Sequence, residues 1–292
     1  MRERQHISHP RHVVVVGDAA LDVVARHEGA LAHGDDTPAR VLTAVGGAGA
    51  NTAAWLAHLG VPVTLATRVG ADPAADVLRG GLAARGVTCA LTTDPGAATG
   101  CVVVLVDATG QRTMLPDRGA NARLRAEDLP DLGTAAHLHL SGYVLLDDRS
   151  RPAGLAALRR AAAAGLTTSV DPQSAVLLDG LAETFLAWVE GVDLLLPNTA
   201  ELRALGDDRA LRSVRAVAST NGPDGATWRD GSTEVSVPAG AGGPDTTGAG
   251  DAFNAGLLAA WLGGAGPVDA LRAGVAAGTA ATLTAGAGPT PR

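Results

Sequence analysis

Val13–Val16 is an unbroken apolar run closed by Gly17-Asp18, the pattern of a short strand buried on both faces. Residues 20–45 are mixed, with a turn at His33–Asp36 and an apolar segment at Val41–Val45. Asn51–Leu59 then reads as a helix stopped by Gly60, Val63–Thr67 as a strand and Pro73–Ala84 as a helix. Cys101–Val106 and Arg112–Leu115 flank Ala108-Thr109-Gly110, a hairpin signature. From residue 135 strands and helices alternate. The strands fall at His137–Leu140, Thr167–Val170, Val192–Leu196 and Val214–Ser219, the helices at Ala153–Ala164, Leu181–Val189 and Thr199–Leu205. Two helical stretches rich in small residues, 249–262 and 267–283, close the chain. This alternation predicts an α/β fold with a mainly parallel sheet covered on both faces. The strand-like pieces near 20–45 and 98–116 interrupt it and are expected to form a small β appendage. No linker or repeat divides the chain, so one domain over 1–292 is expected.

Composition narrows the chemistry. The 292 residues are 46% hydrophobic and 18% charged, which suits a globular enzyme, and a net charge of −7 argues against nucleic acid or an anionic membrane as partner. All 23 basic residues are Arg. Without Lys there is no Walker-type P-loop and no Schiff-base chemistry, so phosphate must be handled by backbone N–H groups, helix N-termini, Arg or a metal. Two isolated cysteines, Cys89 and Cys101, fit neither a zinc site nor a disulfide scaffold and suggest a reducing, cytoplasmic setting. The apolar run after the basic first residues is too short for a signal-peptide core, and no segment approaches membrane-spanning length.

The most informative run is Asp245-Thr246-Thr247-Gly248-Ala249-Gly250-Asp251-Ala252-Phe253. A small, glycine-rich turn opens a helix there, and the first N–H groups of a helix lack internal partners and sit at its positive end. Gly248, Ala249 and Gly250 have no bulk to keep a phosphate away from those groups. Asp251, in the first turn, is placed to accept the proton of an attacking hydroxyl while the N–H groups hold the transferred phosphoryl. The bland alternative is a helix start with an acidic first turn. A second cluster, Gly46-Gly47-Ala48-Gly49-Ala50-Asn51, also follows a strand and opens a helix. It lacks the third glycine of a dinucleotide fingerprint, which counts against a dehydrogenase. It reads better as a flat backbone surface for a small polar ligand, with the Asn51 amide as donor and acceptor, or as a turn with an Asn cap.

Asp22 follows the first strand, where open parallel sheets place ligands, and Asp171 ends a strand on the same side. Asn198 and Glu201 spell a capping box as readily as a site. His137 and His139 share a strand face, but no third metal ligand is evident. The four tryptophans are scattered and suit core packing.

The segments GGAGANTAAWLAHLG and DTTGAGDAFNAGLLAA, with GDAALD, Gly119-Ala120-Asn121, PNTAE at 197–201 and STNGPDGA at 219–226, resemble the ribokinase-like (PfkB-type) carbohydrate kinase family over nearly the whole chain. The resemblance implies a three-layer α/β/α domain with a small β lid and Mg-ATP as phosphoryl donor. It implies Asp251 as catalytic base and Gly248, Ala249 and Gly250 as anion hole. Asp22, Gly46, Gly47 and Asn51 match the family's sugar-binding positions, and Asp171 is a further candidate there. Asn198 and Glu201 match the element that organises magnesium through water, and Thr220, Gly222 and Gly225 match the nucleotide segment. Potassium beside Asp245, Thr247 and the 281–290 loop, and a homodimer paired through the lid, are further implications.

Three departures stand out. Ala48 replaces a Lys of the ribokinase branch, Asn221 replaces an apolar residue, and 239–244 is looser than usual. A sugar or sugar-acid kinase is the leading expectation. A nucleoside kinase of the same fold, and a catalytically silent sugar-binding protein, are the alternatives.

Overall fold

The computed structural model describes residues 11–243, 245–283 and 286–290. The basic stretch ahead of residue 11 and part of the 281–290 loop lie outside them.

Along the chain, β1 (Val13–Val16), β2 (Ala20–His27) and β3 (Ala39–Gly46) lead into α1 (Ala48–His58), β4 (Val63–Gly70), α2 (Pro73–Ala83) and β5 (Thr88–Asp94). The hairpin β6 (Cys101–Val106) and β7 (Arg112–Asp117) follows, then β8 (His137–Ser141), α3 (Tyr143–Leu146), α4 (Arg151–Ala163) and β9 (Thr167–Asp171). Next come α5 (Ala175–Leu178), α6 (Ala182–Trp188), β10 (Leu194–Leu195), α7 (Thr199–Leu205), α8 (Asp207–Ser213) and β11 (Ala216–Thr220). The chain closes with β12 (Ala226–Asp230), β13 (Glu234–Val237), α9 (Ala249–Leu262) and α10 (Pro267–Thr282).

Nine strands form one sheet in the order β13-β12-β11-β10-β9-β8-β1-β4-β5. It is parallel from β11 to β5, and β12 and β13 are antiparallel additions at one edge. Because side chains alternate along a strand, the four valines of β1 divide between two cores. Val13 and Val15 pack with α1, α2, α9 and α10, while Val14 and Val16 pack with the layer of α4, α6, α7 and α8. The result is the α/β/α arrangement. The remaining four strands make a separate sheet, β3-β2-β6-β7, in which the β2 to β6 pair is parallel. Both sheets converge near Gly17–Asp22, where the chain leaves β1 and enters β2.

The start of α1 corrects one expectation. The helix read from Asn51 starts three residues earlier, at Ala48, with Gly47 as its N-cap at φ 95°. Asn51 is therefore inside the first turn and does not cap it. His137 and His139 hold no metal geometry. Both are buried, and their ring nitrogens meet the hydroxyls of Thr167 and Ser169. Burial depresses them to about 3 and about 4, so both are neutral structural residues.

Candidate active site

The C-terminal ends of β1, β8, β9 and β11 and the N-termini of α1, α7 and α9 face one cleft, the position at which open parallel sheets bind ligands. Asp251, in the first turn of α9, lies at its centre. Its Oδ2 accepts a 3.0 Å hydrogen bond from Asn51 Nδ2 across 200 residues of sequence. That contact brings the two glycine-rich segments together. It also explains why Asn51 must sit one turn into α1, where its side chain reaches across to α9.

The acidic surroundings tune Asp251. Burial, with the charges of Asp18 and Asp22, pushes its carboxyl up to about 8, against the Asn51 hydrogen bond, which favours the ionised form. Asp22 is raised to about 6 by burial and by Asp18. Asp22 lies on β2 opposite Ala44, two residues before Gly46, and a side chain on residue 46 would collide with the Asp22 carboxylate. Gly46 is thus required by close approach.

Asp18 was not singled out from the sequence. Its carboxylate accepts from the N–H groups of Ala48 (3.2 Å) and Gly49 (3.4 Å) and from the Ser141 hydroxyl (3.1 Å), tying β1, β8 and the start of α1 together. Its signal was present as an acid immediately after the first strand, overshadowed by Asp22 four residues on.

On one side of Asp251 is a polar cavity of about 200 Å³ lined by Asp171, Asn198, Glu201, Gly248 and Gly250. Asp171 therefore lies with Asn198 and Glu201. Its carboxyl is pushed well up by burial, Glu201 and Asp251, and it accepts a 2.6 Å hydrogen bond from Asn254, a residue that sequence reasoning missed. Asn198 and Glu201 do form the capping box of α7. The Asn198 side chain accepts from the N–H groups of Ala200 and Glu201, and Glu201 Oε2 accepts from Asn198 N at 3.0 Å. Among the described residues no three acidic, His or Cys side chains form a direct metal cage. Gln173, at φ 73°, is the one positive-φ non-glycine there, and its Nε2 is buried on the cavity wall without a hydrogen-bond partner. A strained backbone and an orphaned donor aimed into a polar cavity are features of a ligand site.

On the other side is a larger, mostly apolar crevice of about 460 Å³, lined by Thr220, Gly222, Gly225, Ala249, Gly250 and Phe253 among others. The loose 239–243 segment forms part of its wall. Gly250 borders both cavities, so the N-terminus of α9 stands between them. Gly248, the N-cap of α9, is left-handed at φ 71°, and a side chain there would strike the Ala287 carbonyl. Asp245 is fully engaged: Oδ1 accepts from Thr247 N and Oγ1 and pairs with Arg112 of the small sheet at 3.1 Å.

The arrangement, a buried carboxyl in the first turn of α9 between a polar and an apolar cavity, agrees with comparisons to known proteins. The description "pfkB family carbohydrate kinase" matches residues 10–292. The chain belongs to that family. It is 33% identical over 268 residues to a fructokinase of Klebsiella pneumoniae, covering 84% of this chain and 82% of the relative. It is 33% identical over 234 residues to an ATP-dependent ribose-1-phosphate kinase of Halopiger xanaduensis, covering 74% and 73%. Among solved structures, an adenosine kinase from Sinorhizobium meliloti superposes with a TM-score of 0.87 at 25% identity, covering 96% of both chains. The likeness thus extends over nearly the whole chain. No helix among the described residues is long and apolar enough to cross a membrane.

Proposed function

We propose that this kinase transfers the γ-phosphoryl of ATP to a hydroxyl of a small sugar or sugar-derived acceptor, with Asp251 as general base. The observation that carries the reading is the Asn51–Asp251 contact at the N-terminus of α9, between the two cavities. The apolar crevice suits adenine and ribose, and Thr220, Gly222 and Gly225 lie along it. The N–H groups of Gly248, Ala249 and Gly250 receive the transferred phosphoryl. Asp22, Gly46, Gly47 and Asn51 hold the acceptor's hydroxyls. Asn51 keeps the Asp251 carboxylate aimed at the reacting hydroxyl. Asp251 takes that hydroxyl's proton as its oxygen bonds to phosphorus, and the bond to the ADP oxygen breaks.

Magnesium fits the polar cavity: Asn198 and Glu201 would hold it through water, and it supplies charge neutralisation for the phosphates. Gln173 Nε2 is a free donor on the same wall. Potassium near the backbone oxygens of Asp245 and Thr247 belongs to the proposal too, but the Asp245 carboxylate itself already has a cation in Arg112. Equal turnover in sodium and potassium buffers removes that element. A homodimer through the small sheet is proposed from exposed Val41 and Leu42 on β3 and Met114 and Leu115 on β7, both edge strands.

A coupled ATP-consumption screen over pentoses, hexoses, sugar acids and nucleosides tests the reaction. Turnover confined to nucleosides would favour the second reading, a nucleoside kinase, which the likeness to an adenosine kinase supports.

The raised Asp251 also predicts a pH profile. The base works only when deprotonated, so kcat/KM should climb about tenfold per pH unit below about 8 and level off above it. Asp18→Asn removes a negative neighbour, keeps one oxygen acceptor for either the Ala48 or the Gly49 N–H, which meet different carboxylate oxygens, and should move that limb to lower pH. An unmoved limb means that Asp18 does not tune the base.

A further inference from the structure

A third cavity, of about 360 Å³, opens at the base of the small sheet and is walled by Arg118, Arg123 and Arg149. None of these was assigned a role above. Three guanidinium groups around one cavity are costly unless anions neutralise them, because like charges repel at short range. The local carboxylates Asp94, Asp117, Asp147 and Asp148 offset that charge but leave guanidinium donors unpaired among the described residues. Asp147 is shared, at 3.2 Å from Arg149 Nη2 and 3.3 Å from Arg118 Nε. Asp94 lies 3.6 Å from Arg123 Nη1 but is bonded more closely, at 3.0 Å, by Arg68. Asp117, also on the wall, has one oxygen occupied by the Gly119 N–H.

Arg118 carries the clearest sign of a missing partner. Its side chain is 25% exposed, yet its Nη2 is a buried donor with no hydrogen-bond partner among the described residues, and its Nε has only the off-line contact to Asp147. An unsatisfied donor on a cation is expensive to leave in place.

The cavity adjoins the acceptor site. Strand register sets Asp22 beside Val102 and Val102 beside Pro116, so the end of β7 lies two strand spacings, about 10 Å, from Asp22. Asn121 clamps the segment to the same place: it donates to the Arg118 carbonyl and accepts from the N–H of Ala19. The Arg118 guanidinium lies over the Tyr143 ring at 5.4 Å, two residues past Ser141, which binds Asp18. Arg118 thus bridges the base of the small sheet and the end of β8, the two walls of the acceptor cleft.

We infer that Arg118, Arg123 and Arg149 form a subsite for an anionic group of the acceptor, a phosphate monoester or a carboxylate, at the end of the molecule remote from the hydroxyl that is phosphorylated. This rests on the kinase reading for the word acceptor, but the binding comparison does not depend on turnover. Guanidinium pairs with phosphate and carboxylate in a planar, two-point manner, and the cavity's exposed rim, with Arg149 62% exposed, admits a hydrated anion. The substrate class that follows is a sugar phosphate or sugar acid in preference to a neutral sugar.

The test is equilibrium binding of ribose, ribose-5-phosphate and gluconate to the full chain by calorimetry, alongside ATP consumption. At least one anionic ligand should bind ~10-fold or more tighter than ribose, and the better of the two identifies the anion. Arg118→Gln should weaken the anionic ligand by ~10- to 100-fold, the span expected for a charge-assisted hydrogen bond, and leave ribose unchanged. Because Arg118 also holds Asp147, Arg123→Ala is the second variant. It removes a guanidinium 46% exposed on the rim and should weaken the anionic ligand several-fold without lowering the melting temperature. Equal binding of ribose and both anionic ligands overturns the inference, as does a loss in both variants that is the same for ribose. Absence of ATP consumption with every ligand refutes the kinase reading, while the binding comparison still decides the subsite.

Discussion

Asp251→Asn is expected to lower kcat by at least ~100- to 10,000-fold, the usual contribution of a general base, with little change in ATP affinity. The amide keeps the size of the carboxylate and can still take the Asn51 hydrogen bond, but it cannot accept the hydroxyl proton. The anion hole is backbone and is untouched. The variant should also be better folded than the parent at alkaline pH. A carboxyl whose folded pKa is raised from 3.8 to about 8 gives stability that is present below its unfolded pKa and lost as pH rises through about 8. The amide has no such loss, so its melting temperature should exceed that of the parent above pH ~8. If Asp251 were only an acidic residue in the first turn of α9, replacing it would instead cost about 0.3–1 kcal/mol of helix-dipole stabilisation and leave turnover near normal. Steady-state kinetics with thermal unfolding at two pH values separates these outcomes.

Gly250→Val should act differently, and nearly as strongly. A Cβ at residue 250 meets no atom within 4 Å, so the fold accepts a side chain there. That open space is the boundary between the nucleotide crevice and the polar cavity. A branched side chain would occupy the phosphoryl path and screen the N–H groups, and the expected loss in kcat/KM for ATP is ~100- to 1,000-fold, the range for removing an anion-hole donor. ATP affinity should fall with it, unlike in Asp251→Asn. The melting temperature should remain near that of the parent. Gly248→Ala makes the contrast, since its left-handed φ and the Ala287 carbonyl leave no room and the loss should appear as instability. Near-parental turnover of a folded Gly250→Val protein would place the phosphoryl path elsewhere.

What the sequence made legible follows from how the physics is encoded. Continuous apolar runs such as Val13–Val16 announce central strands because both faces are buried. β5, with the sequence TCALTTD at the sheet edge, and the β12–β13 hairpin, with Arg229, Asp230 and Glu234, carry no such run, since edge strands are half solvated. α8 was hidden by its charged DDRALRS composition. Within the site, Asp251 and the α9 glycines were readable because anion binding at a helix start needs adjacent residues. Asp18, Asn254, Gln173 and Arg118 were not, because their roles depend on partners 30 to 123 residues away or on burial that only packing creates. The start of α1 shows the same limit. Gly47 at φ 95° caps the helix without any side-chain signal, and the three-residue shift changes Asn51 from a cap into the partner of Asp251.

The most direct test of the central claim is product analysis by mass spectrometry after incubating the chain with Mg-ATP and the acceptor panel. The account predicts ADP together with an acceptor heavier by one phosphoryl group in the parent protein, and neither above background in a folded Asp251→Asn protein. A phosphorylated acceptor formed at parental yield and rate by Asp251→Asn, or none formed by the parent with any sugar, sugar acid, sugar phosphate or nucleoside, would contradict it.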